Sequence, residues 1–431
     1  MRIVVDETPS FHEALETLAA RGDDDLARVE LEVRAILEAV KREGDEAVLR
    51  YAERFDHRRP DPIVRRDYGG AAAFARLPLH VREALELAAA RIKRFHERER
   101  ETGFRYTEEG VSLGCRVRPL ARVAVYAPGG KARYPSSVLM SAIPATVAGV
   151  ADVLLVTPLA GDGGVSDDAI LAAAHLSGVT GIVDLGGAHG VGAVAYGTAT
   201  VPKVDKIVGP GNIYVACAKR LVFGTVAIDG VAGPSEILVV ADDEADPRWI
   251  AADLLSQAEH DEAAYPLLLC NSVSMAEAIA EELTAQLETL PRKAIAQASL
   301  DAHGVAFVVK TRARLVEVAD RLAVEHVSLQ TRDPEGLLAQ VRNAGAIFLG
   351  PLTPEAAGDY LAGPSHVLPT GGTVRFGSPL GVYDFYARTS VIGYSAEALG
   401  KQGGAIATLA RLEGLEAHAR AVEVRTLTGG H

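Results

Sequence analysis

Three segments in the second half of the chain carry residues that could hold a divalent metal. LLSQAEHDEAAYPLLL (254–269) places Gln257 and His260 three residues apart at a predicted helix end, so both would share one face. Asp359 falls on a short predicted helix, and His418 lies near the C-terminus. Imidazole and carboxylate ligands without a thiolate suit zinc or manganese. The alternative for the first pair is a polar helix end, with His260 favourably near the C-terminal dipole.

A second candidate for chemistry is Glu325-His326, which interrupts the predicted strand VEHVSL (324–329). Adjacent strand residues point to opposite faces, but at a strand end both can reach one cleft. A carboxylate next to an imidazole, whose pKa is ordinarily about 6.5, suits general acid–base catalysis. A strand edge that faces solvent is the alternative interpretation.

The elements that must position these residues follow from the hydrophobic pattern. Residues 9–100 predict amphipathic, charge-rich helices, and residues after 395 predict a helical tail. Between them, strands alternate with helices of about ten residues in two blocks, 121–234 and 235–375, which is typical of βαβ units and parallel sheets. The predicted fold class is α/β, with two incomplete Rossmann-like parallel-sheet domains, an N-terminal helical segment and a C-terminal helical tail.

Glycine-rich turns follow three predicted strands of the first block, at 128–130, 186–192 and 209–212. Such turns let backbone N–H groups approach a phosphate, although a tight strand-to-helix turn needs glycine in any case. Together, at successive strand ends of one sheet, they favour a nucleotide site.

Composition limits the classes of protein that fit. The 431 residues are 48% hydrophobic and 23% charged, and the net charge of −13 argues against nucleic acid or anionic membrane as a partner. Cys115, Cys217 and Cys270 form no CxxC pair, which is typical of reduced thiols in the cytoplasm. The N-terminus lacks an apolar signal segment, and the apolar run 142–161 is too interrupted to span a bilayer. We therefore expect a cytoplasmic enzyme.

Several long motifs, in order, resemble the histidinol dehydrogenase family: VYAPGG, YGTATVPKVDKIVGPGN, AGPSEILVVAD, DLLSQAEHD, GAIFLGPLTPEAAGDYLAGPSHVLPTGGT and EGLEAHA. The resemblance spans nearly the whole chain and is strongest over 125–419. It implies a zinc-dependent homodimer of histidine biosynthesis. Such enzymes oxidise L-histidinol to L-histidine through a bound aldehyde, with two NAD.

Residue roles follow from the resemblance by motif match. It implies zinc ligands at Gln257, His260, Asp359 and His418, and a catalytic pair at Glu325 and His326. It implies substrate contacts from the zinc ligands and His326 together with Ser235, His366 and Glu413, and NAD contacts from Tyr126, His189 and Asn212. Glu413 and His418 would reach into the partner's site, so the C-terminal tail would be exchanged between subunits and active sites would be shared.

The implied domain arrangement has four parts. Residues 1–28 would be an N-terminal segment, and 29–120 plus 235–375 would form the domain with the zinc and catalytic residues. Residues 121–234 would hold NAD, and 376–431 would be the tail that reaches the partner subunit.

The sequence departs from the family pattern at three positions and leaves other functions open. His189 stands where glutamine is usual, Val324 where proline is common, and Ser365 where asparagine is frequent. The first alternative function is a related dehydrogenase of another amino alcohol or a sulfonated diol. A zinc hydrolase, an aldehyde dehydrogenase with a catalytic cysteine, and a non-catalytic binding protein are the others.

Overall fold

The structure, a computed structural model, describes residues 1–21, 26–129, 134–159 and 165–427. Within these ranges the chain forms fifteen strands: β1 (Arg2–Val5), β2 (Val64–Arg65), β3 (Phe104–Glu108), β4 (Val111–Pro119), β5 (Arg122–Tyr126), β6 (Asp152–Val156), β7 (Gly181–Val183), β8 (Lys206–Val208), β9 (Ala227–Ile228), β10 (Glu236–Ala241), β11 (Tyr265–Cys270), β12 (Val305–Val308), β13 (His326–Gln330), β14 (Ala346–Leu349) and β15 (Tyr386–Tyr394). The same ranges form seventeen α-helices: α1 (Pro9–Ala19), α2 (Ala27–Glu43), α3 (Asp45–Asp56), α4 (Gly70–Arg76), α5 (Leu79–His96), α6 (Pro135–Ala148), α7 (Val165–Leu176), α8 (Gly187–Tyr196), α9 (Ile213–Val222), α10 (Pro247–Ala258), α11 (Val273–Leu287), α12 (Lys293–His303), α13 (Arg312–Leu322), α14 (Pro334–Leu338), α15 (Glu355–Tyr360), α16 (Ala396–Leu412) and α17 (Glu416–Leu427). None of these helices combines the length and apolar character that crossing a membrane requires.

Two six-stranded sheets carry the two α/β blocks. The first sheet has the order β2-β7-β6-β5-β8-β9, and the second has the order β1-β12-β11-β10-β13-β14. All pairings are parallel except that of β2 with β7. Counted within each block, both sheets read third, second, first, fourth, fifth strand, which is the Rossmann type of order. The predicted α/β class with two parallel-sheet blocks is confirmed.

The strands are apolar because helices cover both faces of each sheet. Every residue of β10 is buried, and β13 is buried throughout. Burial along the whole strand is typical of parallel strands with no solvent face. Two core clusters flank the second sheet, one of them containing Leu238 and Leu267 and the other Ile237 and Leu268.

Helices α2 to α5 pack mainly with the first block, not with the second. Val33 and Leu37 of α2 and Val48 of α3 share one core cluster with Val191 of α8. Helices α4 and α5 pack on α7 and α6, and β2 extends the first sheet. In the structure these helices therefore pack with residues 121–234, whereas the implied domain arrangement groups 29–120 with 235–375. An amphipathic pattern reveals that a helix has an apolar face, but it does not reveal which sheet covers that face.

The N-terminal segment is instead part of the second block. β1 pairs in parallel with β12, and Phe11 of α1 meets Phe307 edge to face with 5.2 Å between ring centroids. Thr8 caps α1 by accepting a hydrogen bond from the N–H of Phe11. Residues 1–21 therefore complete the second sheet.

The described chain divides into two compact units. The large unit comprises 1–99 and 120–385 and contains both parallel sheets, while the small unit comprises 100–119 and the chain from 386 onward. In the small unit, β3, β4 and β15 form an antiparallel sheet, and α16 packs on α17. The predicted C-terminal helices are thus present. Residues 376–385 belong to the large unit, whereas the implied domain arrangement places them at the start of the tail.

Asp152, the first residue of β6, ties elements of the first block together. Its carboxylate accepts hydrogen bonds from Arg66 at 2.6 Å, from Thr180 at 2.5 Å and from Arg122. Burial alone would raise the pKa of Asp152, but these donors outweigh it and hold that pKa well below its ordinary value. The stabilisation is therefore present above the unfolded pKa of about 3.9, and it is lost as the pH falls below that value.

We expect Asp152→Asn to lower the free energy of unfolding by about 2 kcal/mol at pH 7. The difference from the parent protein should shrink below about pH 4, because the carboxyl group of the unfolded parent then takes up a proton while that of the folded parent stays ionised. Urea unfolding of both proteins, at pH 7 and at a pH below about 4, measures the difference in the free energy of unfolding. Glu16→Gln, which removes an exposed ion pair with Arg321, is the control and should change the free energy by less than about 1 kcal/mol. An equal loss from Asp152→Asn at both pH values would contradict the argument.

Candidate active site

A cavity of about 650 Å³ lies in the large unit, between edges of its two parallel sheets. The carboxyl ends of β5 and β8 contribute Pro128 and Asn212, and the amino ends of β10 and β13 contribute Ser235, Glu325 and His326. In Rossmann-type sheets, ligands bind outside the carboxyl ends where the strand order reverses, which in the first sheet is between β5 and β8. The first sheet follows this rule, because the carboxyl ends of its strands face the cavity. The second sheet instead faces the cavity with the amino ends of its strands.

Gln257 and His260 both line the cavity at the end of α10, but only Gln257 is helical. The helix begins with Asp246 as its cap, which accepts a hydrogen bond from the N–H of Arg248. It ends at Ala258, and His260 follows in a turn where its N–H donates to the carbonyl of Gln257 at 3.2 Å. The expected helical placement of His260 is wrong, because the last turn tightens to satisfy free carbonyls.

Asp359, near the end of α15, faces His260 across the cavity. Its Oδ2 lies 3.8 Å from Nε2 of His260. Burial would raise the pKa of Asp359, but hydrogen bonding to His366 and its charge outweigh burial and lower that pKa. Oε1 of Gln257 is buried and has no hydrogen-bond partner among the described residues. An unsatisfied buried amide oxygen, an imidazole and a carboxylate at one cavity form a donor set that fits zinc.

Glu325 and His326 are both brought to the cavity because they stand at the very start of β13. Oε2 of Glu325 accepts a hydrogen bond from the N–H of Glu236 at 3.0 Å. Nδ1 of His326 lies 3.0 Å from the carbonyl oxygen of Glu236. A carbonyl can only accept, so Nδ1 carries the hydrogen and Nε2 is left as the acceptor. The expectation that a strand end lets both side chains reach one cleft is confirmed.

Burial moves the two pKa values in opposite directions. Burial raises the pKa of Glu325 well above its ordinary value, although the N–H of Glu236 works against this. Burial lowers the pKa of His326 to about 4, with the charge of Asp359 opposing. His326 is therefore neutral near pH 7, and its Nε2 can accept a proton.

Glu355, the first residue of α15, belongs to the site and was not predicted. One ligand atom from each of His326, Glu355 and Asp359 lies within 4.8 Å of the others. Oε2 of Glu355 accepts a hydrogen bond from Ser256 at 3.1 Å, and Oε1 lies 3.8 Å from Nε2 of His326. Burial, reinforced by the charge of Asp359, raises the pKa of Glu355 to about 8. A glutamate in the first turn of a helix is ordinary, because it interacts favourably with the helix dipole, so nothing in the sequence signals its burial.

Ser235 and His366 also line the cavity. Nδ1 of His366 lies 3.1 Å from the carbonyl oxygen of Asp359, and Nε2 lies 3.2 Å from the hydroxyl of Ser137. The imidazole is therefore fixed at the cavity wall by contacts on both ring nitrogens. Both predicted substrate contacts of the large unit thus lie at the cavity.

The three residues predicted to contact NAD follow strands of the first sheet, but only Asn212 lines the cavity. Its side chain caps α9 by accepting from the N–H groups of Tyr214 and Val215, each at 3.1 Å. The preceding turn is fixed by Asp229, which accepts from the N–H of Gly209 at 2.7 Å. Of the predicted glycine-rich turns, 186–192 and 209–212 do follow β7 and β8, while residue 130 of the third lies outside the described residues.

Tyr126 and His189 both lie near the start of α8, and neither lines the cavity. The hydroxyl of Tyr126 accepts a hydrogen bond from the N–H of Gly187 at 2.9 Å, and burial raises the pKa of this tyrosine to about 12. His189 is buried against the rings of Tyr51 and Phe55, with Nε2 3.5 Å from Oδ2 of Asp56. The structure therefore places these two residues at a helix N-terminus beside the first sheet.

Comparisons with known proteins show to which family the chain belongs. A sequence model described as Histidinol dehydrogenase matches residues 19–426. Histidinol dehydrogenases of Aquifex aeolicus and Syntrophotalea carbinolica are 49% and 50% identical to the chain, over 96% and 99% of both sequences. A crystal structure of histidinol dehydrogenase from Elizabethkingia anophelis superimposes with a TM-score of 0.90 at 34% identity, covering 99% of this chain and 98% of that one. The chain belongs to the histidinol dehydrogenase family. It is therefore an enzyme, an oxidoreductase that acts on an alcohol or aldehyde.

The positions of the cysteines fit the histidinol dehydrogenase family and not a cysteine-dependent aldehyde dehydrogenase. Cys217 and Cys270 are buried, and burial raises the pKa of Cys270 to about 11. Cys115 lies in β4 of the small unit. None of the three lines the described cavity, and the catalytic form of cysteine is the thiolate, which a raised pKa disfavours.

Glu413 and His418, which the histidinol dehydrogenase pattern pairs with the partner's site, lie in the small unit. Glu413 ends α16 and His418 lies in the first turns of α17. Both are exposed in the single chain. Their roles remain predictions.

Proposed function

We propose that the protein oxidises L-histidinol to L-histidine in two successive two-electron steps, using two NAD and one zinc ion per subunit. Family membership over almost the whole chain, with Glu325 and His326 at one cavity with three proposed zinc ligands, carries the proposal. An alcohol-to-acid oxidation needs a base for the hydroxyl proton, a base for water and a means of orienting the substrate. This cavity offers a candidate for each.

In the first step, the alcohol carbon of L-histidinol loses a hydride to NAD, and its hydroxyl loses a proton to Nε2 of His326. The neutral state of His326 and the hydrogen bond from Nδ1 to Glu236 leave that nitrogen ready to accept. A positioned proton acceptor of this kind typically contributes about 10²–10⁴-fold to the rate. The product is the aldehyde L-histidinal.

In the second step, water adds to the aldehyde: Glu325 accepts a proton from that water, and His326 returns the proton of the first step to the aldehyde oxygen. The hydrated aldehyde then loses a second hydride to another NAD, His326 accepts a hydroxyl proton again, and L-histidine forms. The carboxyl group of Glu325 stands at the cavity beside His326 and is held by the N–H of Glu236, which places it for the water step. An enclosed cavity also retains the reactive aldehyde between the steps.

Zinc would be held by Gln257, His260, Asp359 and the partner subunit's copy of His418. When bound, it would supply an orienting site for the imidazole and amino nitrogens of the substrate. Ser235, His366 and Glu413 would complete the substrate contacts. The unsatisfied oxygen of Gln257 supports the ligand assignment from the large unit.

NAD would lie along the carboxyl ends of the first sheet, contacted by Tyr126, His189 and Asn212. Support comes from the strand order of this sheet and from the position of Asn212 between that edge and the catalytic pair. His189 would replace the usual glutamine with one ring nitrogen, so we expect the same cofactor with a changed contact.

The active form would be a cytoplasmic homodimer of histidine biosynthesis in which the small unit reaches the partner. Exposed apolar side chains of that unit support an interface, since Leu412 is 82% exposed and Ile392 is 68% exposed. Two such surfaces related by a two-fold axis would bury each other.

Mixed dimers test the shared site. A His326→Ala chain and a His418→Ala chain are each expected to be inactive alone. A heterodimer should regain about half the activity of the parent dimer, because one of its two sites then combines an intact His326 with an intact His418 from the other chain. Two affinity tags isolate the heterodimer for NADH assays. Pure heterodimers without activity would contradict a shared site.

Comparison of substrates tests the proposed function itself. We expect kcat/KM for L-histidinol to exceed that for L-leucinol or a sulfonated propanediol by about 10⁴-fold, because polar contacts built for the imidazole would be left unpaired. Zinc-loaded protein and saturating NAD are used throughout. A higher kcat/KM for the sulfonated diol or for another amino alcohol would contradict the proposal that L-histidinol is the substrate.

A further inference from the structure

A buried ion pair lies directly behind the catalytic residues. Arg21, which follows α1, donates from Nε to Oε1 of Glu236 at 2.7 Å and from Nη2 to Oε2 at 2.6 Å. The two side chains are only 3% and 1% exposed. Arg21 also donates to the carbonyl oxygens of Leu18 and Leu322, at 2.5 and 2.8 Å. The N-terminal segment thus delivers a fixed guanidinium to the amino edge of the second sheet.

Glu236 contacts both catalytic residues through its backbone and its side chain. Its N–H donates to the carboxyl group of Glu325, and its carbonyl accepts from Nδ1 of His326, each at 3.0 Å. In return, the N–H of Glu325 donates to Oε2 of Glu236 at 3.2 Å. One residue therefore exchanges two hydrogen bonds with Glu325 and fixes which nitrogen of His326 carries a proton.

The carboxylate of Glu236 accepts as many hydrogen bonds as its two oxygens allow. Besides the two bonds from Arg21 and the one from Glu325, it accepts from the N–H of Gly371 at 2.8 Å. A carboxylate has about four acceptor sites, so these four donors saturate it. A saturated, charge-paired group cannot turn away without leaving several buried donors unpaired, which is costly.

We propose that Arg21 and Glu236 are positioning residues for the reaction, holding the carboxyl group of Glu325 and the tautomer of His326 in the orientation that proton transfer needs. The inference deepens the proposed function and rests on it for the roles of Glu325 and His326. Misplacement of reacting groups by about 1 Å costs on the order of 10²-fold in rate. Loss of the pair should therefore lower kcat more than it changes KM.

A purely structural tie is the competing explanation, and the chain contains a matched example. Arg314 of α13 bonds Asp6, just after β1, at 3.1 Å, and so also anchors the N-terminal segment. Neither residue lines the cavity or bonds the catalytic pair. Disruption of this second pair reports what the loss of an anchor alone does.

The test compares Arg21→Met, Arg21→Lys and Arg314→Met as zinc-loaded full-length proteins with L-histidinol and NAD. We expect Arg21→Met to lower kcat by about 10–100-fold with KM changed less than about threefold, because orientation and not binding is lost. Arg21→Lys should recover part of kcat, since it keeps the charge but not the two-pronged contact. Arg314→Met should keep kcat within about twofold while lowering the melting temperature.

Crystal structures of Arg21→Met and Arg21→Lys give a readout that does not depend on turnover. The proposal expects the carboxyl of Glu325 or the ring of His326 to leave its bond to Glu236 in Arg21→Met. Unmoved catalytic side chains, or equal kcat losses in Arg21→Met and Arg314→Met, would overturn it. If the parent protein does not oxidise L-histidinol, the proposed function fails, while the structures still decide whether Arg21 positions these two side chains.

Discussion

Replacing His326 by alanine is expected to lower kcat for L-histidinol by about 10²–10⁴-fold, the usual contribution of one positioned proton acceptor. The ring is buried and neutral, with Nδ1 held by the carbonyl oxygen of Glu236 and Nε2 left to accept. Glu355, whose Oε1 lies 3.8 Å from Nε2, is a poor substitute because its raised pKa favours the protonated form. KM should change less than kcat, since the proposed zinc ligands remain. Initial rates of NADH formation measure both constants.

His326→Asn separates proton transfer from positioning. Its amide can still donate to the carbonyl oxygen of Glu236, but it offers no basic nitrogen, so we expect it to be about as inactive as the alanine variant. His80→Ala removes an exposed imidazole at the start of α5 and serves as the control with unchanged kcat. Activity of His326→Asn within tenfold of the parent would show that His326 is not the proton acceptor.

Replacing His260 by asparagine is expected to release zinc and to abolish turnover with it. His260 and Asp359 face each other at 3.8 Å, and Gln257 offers a buried oxygen without a partner among the described residues. Mutation of a residue that hydrogen-bonds to a metal ligand typically weakens metal binding by about 10–100-fold. Loss of a ligand itself should therefore weaken zinc binding by at least about 100-fold. Zinc content after dialysis and calorimetric titration of the apoprotein measure the effect without an activity assay.

The control for the zinc prediction is Glu259→Gln, one residue before His260. Glu259 directly follows the last residue of α10 and is not a proposed ligand. This variant should keep the zinc affinity and kcat of the parent. A His260→Asn protein that retains zinc at parent affinity would contradict the proposed ligand set, and it would direct attention to the cluster of His326, Glu355 and Asp359.

The sequence predicted local structure well because local structure depends on local patterns. Alternating apolar strands and ten-residue helices indicated two parallel-sheet blocks, and both sheets have the same Rossmann type of order. The Glu325-His326 pair was visible because charged residues interrupting an apolar strand are unusual.

What the sequence could not predict depends on contacts between distant segments. Arg21 meets Glu236 across 215 residues, and neither position differs locally from an ordinary surface charge. Glu355 appeared to be a simple helix-start glutamate, yet it is buried beside His326. The packing of α2 and α3 on the first block was also missed, because an apolar helix face fits either sheet.

The molar yield of NADH from limiting L-histidinol tests the central claim most directly. The zinc-loaded protein is incubated with excess NAD until absorbance is constant, and histidinol, histidinal and histidine are quantified. Two successive hydride transfers at one cavity predict two NADH and one L-histidine for each L-histidinol consumed, with no aldehyde released. A yield of one NADH with histidinal accumulating would contradict the account, because Glu325 and His326 would then support only the alcohol step.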